Sequence, residues 1–372
     1  MLKNKIILFV MIGIFMLITA NCNQQSEWQG DAPQVITPDE LKTELTVKME
    51  RVQKFLSEEK LGGVLLTSVR NFSWITGGIG NNCIVITSET GAASLLIMAD
   101  GKKYLICNGS ESARLMHEDL KELGYELKQF NWYENNSVID VRQEIIDSLA
   151  QDKKIGSDTP CPGTIMVESK FAKLRYQLTE PEIKKYRWLG RQCTEAVVKI
   201  CRTIKPGMNE NEIEAATAVE LRMRGITPTV LLIGVDDRIF NYRHCLAAGK
   251  TLEKYAMINI CARKWGLVIS VTRFVHFGEL PEELATKLNA AAEVNAKYLA
   301  HTIPGTKAAD IMEACKTWYA EANYEGEWQK HHQGGAAGYN EREWVNFPGC
   351  PEVVLENQAF AWNPTITGAK VE

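Results

Sequence analysis

The chain has 372 residues, 45% apolar and 24% charged, with a formal net charge of −4 and a pI near 6.0. That length admits two domains, and the ordinary globular composition excludes a largely disordered chain. The slightly acidic balance, without any Lys/Arg run interleaved with aromatics, excludes nucleic acid as a partner.

Residues 1–21 predict an export signal: Lys3 and Lys5 precede an apolar run from Ile6 to Ala20 that is too short to span a bilayer comfortably. Leu17 to Cys22 reads LITANC, a relaxed lipoprotein box in which Cys22 becomes the lipidated mature N-terminus. Residues 22–40 then serve as a polar tether. The expectation is an exported bacterial envelope lipoprotein whose membrane contact is a lipid anchor. Removing Cys22 from the ten cysteines leaves nine scattered ones without a Cys-x-x-Cys pair, which predicts buried small hydrophobes such as Cys83 and Cys201 rather than disulfides or structural zinc.

An α/β domain is expected over 41–165. Leu45, Met49, Val52 and Leu56 recur at helical spacing before the strand-like GGVLLTS. The runs CIVITS, ASLLIMA and KKYLIC predict a strand meander, followed by a helix from about Ser110 to Leu123. The strand ELKQFNWY, a helix near Val138 to Leu149 and the strand KKIGSD complete this domain, and the join falls at 160–169. From Leu178 two long amphipathic helices flank Lys205-Pro206-Gly207-Met208. Thr179 with Glu182, and Asn209 with Glu212, form their N-terminal caps.

Three motifs carry a resemblance. VLLTSVRNFSWITGG, KPGM with Glu210 three residues after Gly207, and MINICARKWGLVISVTRFVHFG (257–278) together resemble the creatinase/prolidase/aminopeptidase P family. The resemblance implies an α/β creatinase-like N-terminal domain followed by an α+β pita-bread domain over 170–372. In that family two Asp, one His and two Glu hold a dinuclear metal centre. Here Asn259 and Ser270 stand at the aspartate positions, Gly335 at the histidine and Asn363 at the first glutamate. Only Glu372 matches a ligand. Neutral amides and hydroxyls cannot supply bridging anionic oxygens, so neither a metal nor any other cofactor is expected.

Substrate-side groups survive. The resemblance makes His244 and Glu343 catalytic candidates beside Glu372, and Arg342, His331 and His332 substrate-binding ones. Arg342 could hold a carboxylate bidentately or serve as a surface ion-pair partner. His331 and His332 are consecutive, so on an extended chain they face opposite ways. Gly334 to Gly338 reads as a small-residue turn that allows close backbone approach. Arg273 is read as a strand brace, and Trp265, Trp344 and Trp362 as pocket or core residues.

Two functions stand open. One is a metal-independent, creatinase-like hydrolase of a small amide or short peptide, needing a carboxylate to orient His244. The other is a non-catalytic peptide- or partner-binding pseudoenzyme. An ordinary metal-dependent Xaa-Pro aminopeptidase is what the resemblance alone implies, and the ligand positions argue against it. The family pattern continues past its last glutamate while this chain stops at Glu372, so the pita-bread domain reads as truncated. That predicts a frayed final carboxylate and an open sheet edge that favours a homodimer.

Overall fold

A computed structural model of the chain describes residues 35–372; the expected signal, Cys22 and most of the tether lie outside the described residues. Thr37 starts helix α1 (Pro38–Glu58): its hydroxyl accepts from the Glu40 N–H while the Glu40 carboxylate accepts from the Thr37 N–H. Pro38 occupies the first turn, where its missing N–H costs nothing. The helix therefore takes in the last residues of the expected tether.

The first sheet contains β1 (Gly63–Ser68), β2 (Thr90–Met98), β3 (Lys103–Asn108), β4 (Glu126–Phe130), β5 (Ile155–Ser157) and β6 (Ile165–Met166), in the order β4-β3-β2-β1-β5-β6. Helix α2 (Val69–Ile75) follows β1, α3 (Gly109–Arg114) follows β3, and α4 (Val141–Ala150) follows β4. Because β6 still pairs with β5, the sheet ends inside the expected join, where α5 (Glu168–Phe171) begins.

Three expectations here are corrected. CIVITS is not a strand: the Ala92 N–H donates to the Asn82 carbonyl, closing the intervening residues into an extruded loop. With no neighbour to pair with, Ile84, Val85 and Ile86 are 54%, 61% and 66% exposed. ELKQFNWY stops at Phe130, where the chain turns through Asn131 and leaves Trp132 and Tyr133 exposed. The helix expected to reach Leu123 is α-helical only to Arg114 and ends in a π turn, Leu115–Asp119.

The second half opens on α6 (Glu180–Thr203) and α7 (Glu210–Met223), each with the reciprocal cap read from the sequence. A sheet of β7 (Thr227–Val235), β8 (Tyr255–Lys264) and β9 (Leu267–His276) packs against them, with α8 (Asp237–Asn241) between β7 and β8. Trp265 and Gly266, both at positive φ, turn β8 into β9. Helices α9 (Glu282–His301) and α10 (Ala308–Glu321) precede a second small sheet, β11 (Trp344–Val345), β10 (Gly334–Ala337) and β12 (Ala359–Trp362), and then the hairpin β13 (Thr365–Ile366) and β14 (Ala369–Lys370). The glycine-rich segment is thus the central strand of a sheet and not a turn.

Residues Val35–Glu372 pack as one unit. The main apolar core runs from Val52 and Trp74 through Phe171 to Leu189, Ile258 and Ile269, with smaller clusters around Tyr298 and Trp362 and around Tyr176 and Trp344. Trp344 and Trp362 are core residues, while Trp265 packs beside Trp188. All nine cysteines of the described residues are free thiols; seven are buried, and Cys83 and Cys201 are half-buried.

Four charged side chains sit in that core where α1 meets α6. Lys48 bonds Glu44 at 2.6 Å and Glu182 at 2.8 Å, and Lys185 bonds Glu44 at 2.8 Å, with side-chain exposures of 0–2%. The Tyr339 hydroxyl donates to Glu182 at 2.7 Å and accepts from Lys48 at 3.0 Å. Buried charges survive only when each is matched. Lys48→Met should therefore cost about 3–5 kcal/mol by leaving a carboxylate uncompensated, read as a lower urea midpoint at unchanged slope.

Candidate functional site

The β8–β9 register decides which side chains share a face. Asn259 pairs with Thr272 and Cys261 with Ser270, so all four lie on one side of the hairpin. Glu372 reaches this face. The Asn259 amide donates to its Oε2 at 2.6 Å, and the Thr272 hydroxyl donates to the same oxygen at 2.7 Å. Lys370 bonds Oε2 at 2.8 Å and Arg342 bonds Oε1 at 3.1 Å. The expectation of a frayed carboxylate is corrected: the Glu372 side chain is 4% exposed and saturated with donors. Burial opposes its ionisation, yet Lys370 and Arg342 outweigh that and hold its pKa below the ordinary value.

Arg342 also donates to the Ser270 hydroxyl at 3.2 Å. Its guanidinium thus lies between Ser270 and Glu372, two of the five positions at which the family pattern places metal ligands. Of the two roles open to Arg342 the ion pair is the one seen, but the surface position expected for it is corrected: the side chain is 11% exposed because it turns in toward buried Glu372. Lys370 was missed in the sequence, although its place two residues before Glu372 puts both side chains on one side of an extended segment.

The donor set does not fit a family-type metal pair. Among the described residues no three His, Cys, Asp or Glu side chains converge on a point that could hold an ion. A Cβ at Gly335 would lie 2.1 Å from the Trp344 carbonyl oxygen, so the strand has closed over the position where a histidine would project. A divalent ion roughly 4 Å from the Arg342 charge would meet a repulsion of about 8 kcal/mol at an effective dielectric of about 20. Asn363 is buried with its Oδ1 unpartnered.

Glu343 is held elsewhere. Its carboxylate takes Arg175 Nε on both oxygens at 3.0 Å and Nη2 at 2.9 Å, and it also accepts from the Tyr339 N–H. Arg175 continues to Glu168 and to Asn71, which bonds Asp158. Arg273 donates to the main-chain oxygens of Thr272 and Glu372, the bracing role expected of it.

The histidines form a separate group at the mouth. His244 Nε2 is 3.0 Å from His331 Nε2, and the His331 and His332 rings stack at 4.2 Å. The opposite-facing arrangement expected of the consecutive pair is corrected: no strand covers them, so the alternation of an extended chain does not apply. The hydrogen bonds set their tautomers. His331 Nδ1–H donates to the His332 carbonyl, so its Nε2 accepts from His244. His332 Nδ1 accepts from the Gly334 N–H, which leaves its Nε2–H as a donor. Desolvation of the rings, with His332 and Lys370 acting on His331 and with Arg342 and Lys370 acting on His332, lowers both pKa values to about 4.

A strand-and-helix N-terminal domain, followed by a helix-backed antiparallel sheet that carries the remnant site, defines a two-domain protein of the creatinase/prolidase type. The chain belongs to metallopeptidase family M24, whose model matches residues 184–371, and the creatinase/prolidase N-terminal domain model matches residues 48–187. It is similar in structure to the X-Pro aminopeptidase from Thermotoga maritima MSB8, with TM-score 0.69 and 18% identity over 87% of this chain and 92% of that one. The prolidase from Pyrococcus horikoshii OT3 gives TM-score 0.70 and 19% identity over 87% and 92%. The N-terminal domain of a FACT complex subunit from Cicer arietinum (chickpea) gives 0.63 and 10% over 88% of each chain. At these identities the likeness is one of fold, the pita-bread fold. No curated protein matches the chain.

The low pKa of Glu372 fixes a pH dependence. Its contribution to stability is complete above its ordinary value of 4.5 and is lost as pH falls through the lower folded-state value. Glu372→Gln should cost about 3–5 kcal/mol at neutral pH, and its stability should fall less than that of the wild type on acidification below that value, measured by denaturation at stepped pH.

Proposed function

We propose that this protein is a non-catalytic, peptide-binding member of family M24, exported and held at the bacterial envelope by a lipid on Cys22. One observation carries the reading: both carboxylates that could act as bases, Glu343 and Glu372, are enclosed in internal ion pairs. A general base must have a free lone pair within reach of the proton it takes. The partner of His244 is another imidazole and not a carboxylate, so the orienting group required by a metal-independent hydrolase is missing from its hydrogen bonds.

The mouth suits binding. Phe240, Tyr242 and Leu246 are 41%, 53% and 68% exposed on the segment that carries His244, apolar surface that a short peptide could cover. The similarity to a complex subunit supports the same direction, because that protein carries the fold within an assembly. A homodimer is the simplest assembly to look for.

Two outcomes follow. The purified protein should neither cleave Xaa-Pro dipeptides nor hydrolyse creatine-like amides, with or without added Mn, Co or Zn, and its metal content should be substoichiometric. Stoichiometric metal together with Xaa-Pro cleavage would overturn the reading, and metal-free turnover abolished by His244→Ala would install the hydrolase in its place. Cys22→Ser should move the protein from the membrane to the soluble fraction, with loss of the acyl mass on the mature N-terminus.

A further inference from the structure

Resting on the reading of this cleft as a peptide site, we infer that its floor is an oxyanion site, in which the side-chain cations Arg342 and Lys370 stand in the place of the metals and receive the carboxylate of the bound peptide. The charge balance points there. Lys370 and Arg342, only 12% and 11% exposed, share one carboxylate, Glu372. Arg273, bonded to main-chain oxygens, and Glu341, bonded by the Thr229 hydroxyl on β7, keep their charges, which are opposite in sign and offset each other. Around the Glu372 side chain the cations in direct contact outnumber the anion two to one at a largely desolvated position, where attraction for a further anion is strengthened.

Unused donors accompany that charge. Arg342 Nε is buried and without a partner. Lys370 has three N–H donors, of which the bond to Glu372 uses one. Because its Nδ1 accepts from the Gly334 N–H, His332 keeps Nε2–H as a further donor, in the field of both cations. An anion would take up the free donors of Lys370 and meet the field that Arg342 and Lys370 exert on His332, whereas a metal cation would face two positive charges. The exposed apolar residues Phe240, Tyr242 and Leu246 then meet the side chain adjoining the carboxylate. The ligand class is a short peptide with an apolar residue next to a free carboxylate.

Calorimetry on the full chain tests this with phenylalanyl-leucine, its C-terminal amide, acetate and inorganic phosphate as separate probes. The acid should bind at least about tenfold tighter than the amide, as expected for charge-assisted pairing, and its affinity alone should fall with added salt. Acetate should compete weakly. If phosphate binds as tightly as the peptide, the site takes free oxyanions and the peptide assignment is overturned. Lys370→Gln should abolish the preference for acid over amide, and Arg342→Lys should retain part of it. If either variant fails to fold, the salt dependence of the wild type decides. Equal affinity for acid and amide, or binding of none of the probes, overturns the oxyanion site. Slow cleavage of the dipeptide with the acid preference intact would instead remove the non-catalytic reading and leave the site standing.

Discussion

The loop from Gly338 to Glu343 is clamped by buried charge on both of its flanks, and the rest of the site depends on that clamp. Tyr339 is tied into the Glu44–Lys48–Glu182–Lys185 cluster, and Glu343 into Arg175 and its partners Glu168 and Asn71. Arg342 lies between these two anchors, so its guanidinium is delivered to Ser270 and Glu372 by a backbone that has little freedom. Both networks reach into the N-terminal half, through α1 and through the β1–α2 segment. The first domain therefore acts as a foundation for the position of a side chain in the second, and buried ion networks of this kind specify geometry more than they add stability.

A metal centre and a cation pair are alternative solutions to one electrostatic problem, the neutralisation of carboxylates gathered under a sheet. When four of five ligand positions carry neutral residues, a single carboxylate remains, and one ammonium with one guanidinium more than balances it. The closure of β10 over Gly335 belongs to the same change: without a projecting imidazole, the strand and the Trp344 carbonyl come close enough that a Cβ would not fit. Backbone packing at Gly335 thus opposes a projecting side chain there, and a histidine could be placed at this position only if the strands moved apart.

The parts of this arrangement that were legible in the sequence are the locally determined ones. The caps at Thr179 and Asn209 need only residues three apart, and the spacing of Asn259 and Ser270 is fixed by hairpin register. What could not be read depends on partners far away in sequence. CIVITS has the composition of a strand but finds no neighbour, and Gly334–Ala337 has the composition of a turn but is sandwiched between two strands. The stacking of His331 on His332 needed a backbone departure that no periodicity encodes. Arg342 was legible as a group able to meet a carboxylate, and only the fold showed that the carboxylate was Glu372.

The buried thiols have a consequence for disulfide exchange. Burial pushes Cys107 and Cys193 up to about 12, and Cys161, Cys245, Cys261 and Cys315 to about 11. Since exchange proceeds through the thiolate, these sulfurs are almost inert near neutral pH. Exchange at any of these six sulfurs therefore requires the chain to open first, whereas Cys83 and Cys201 are only half-buried.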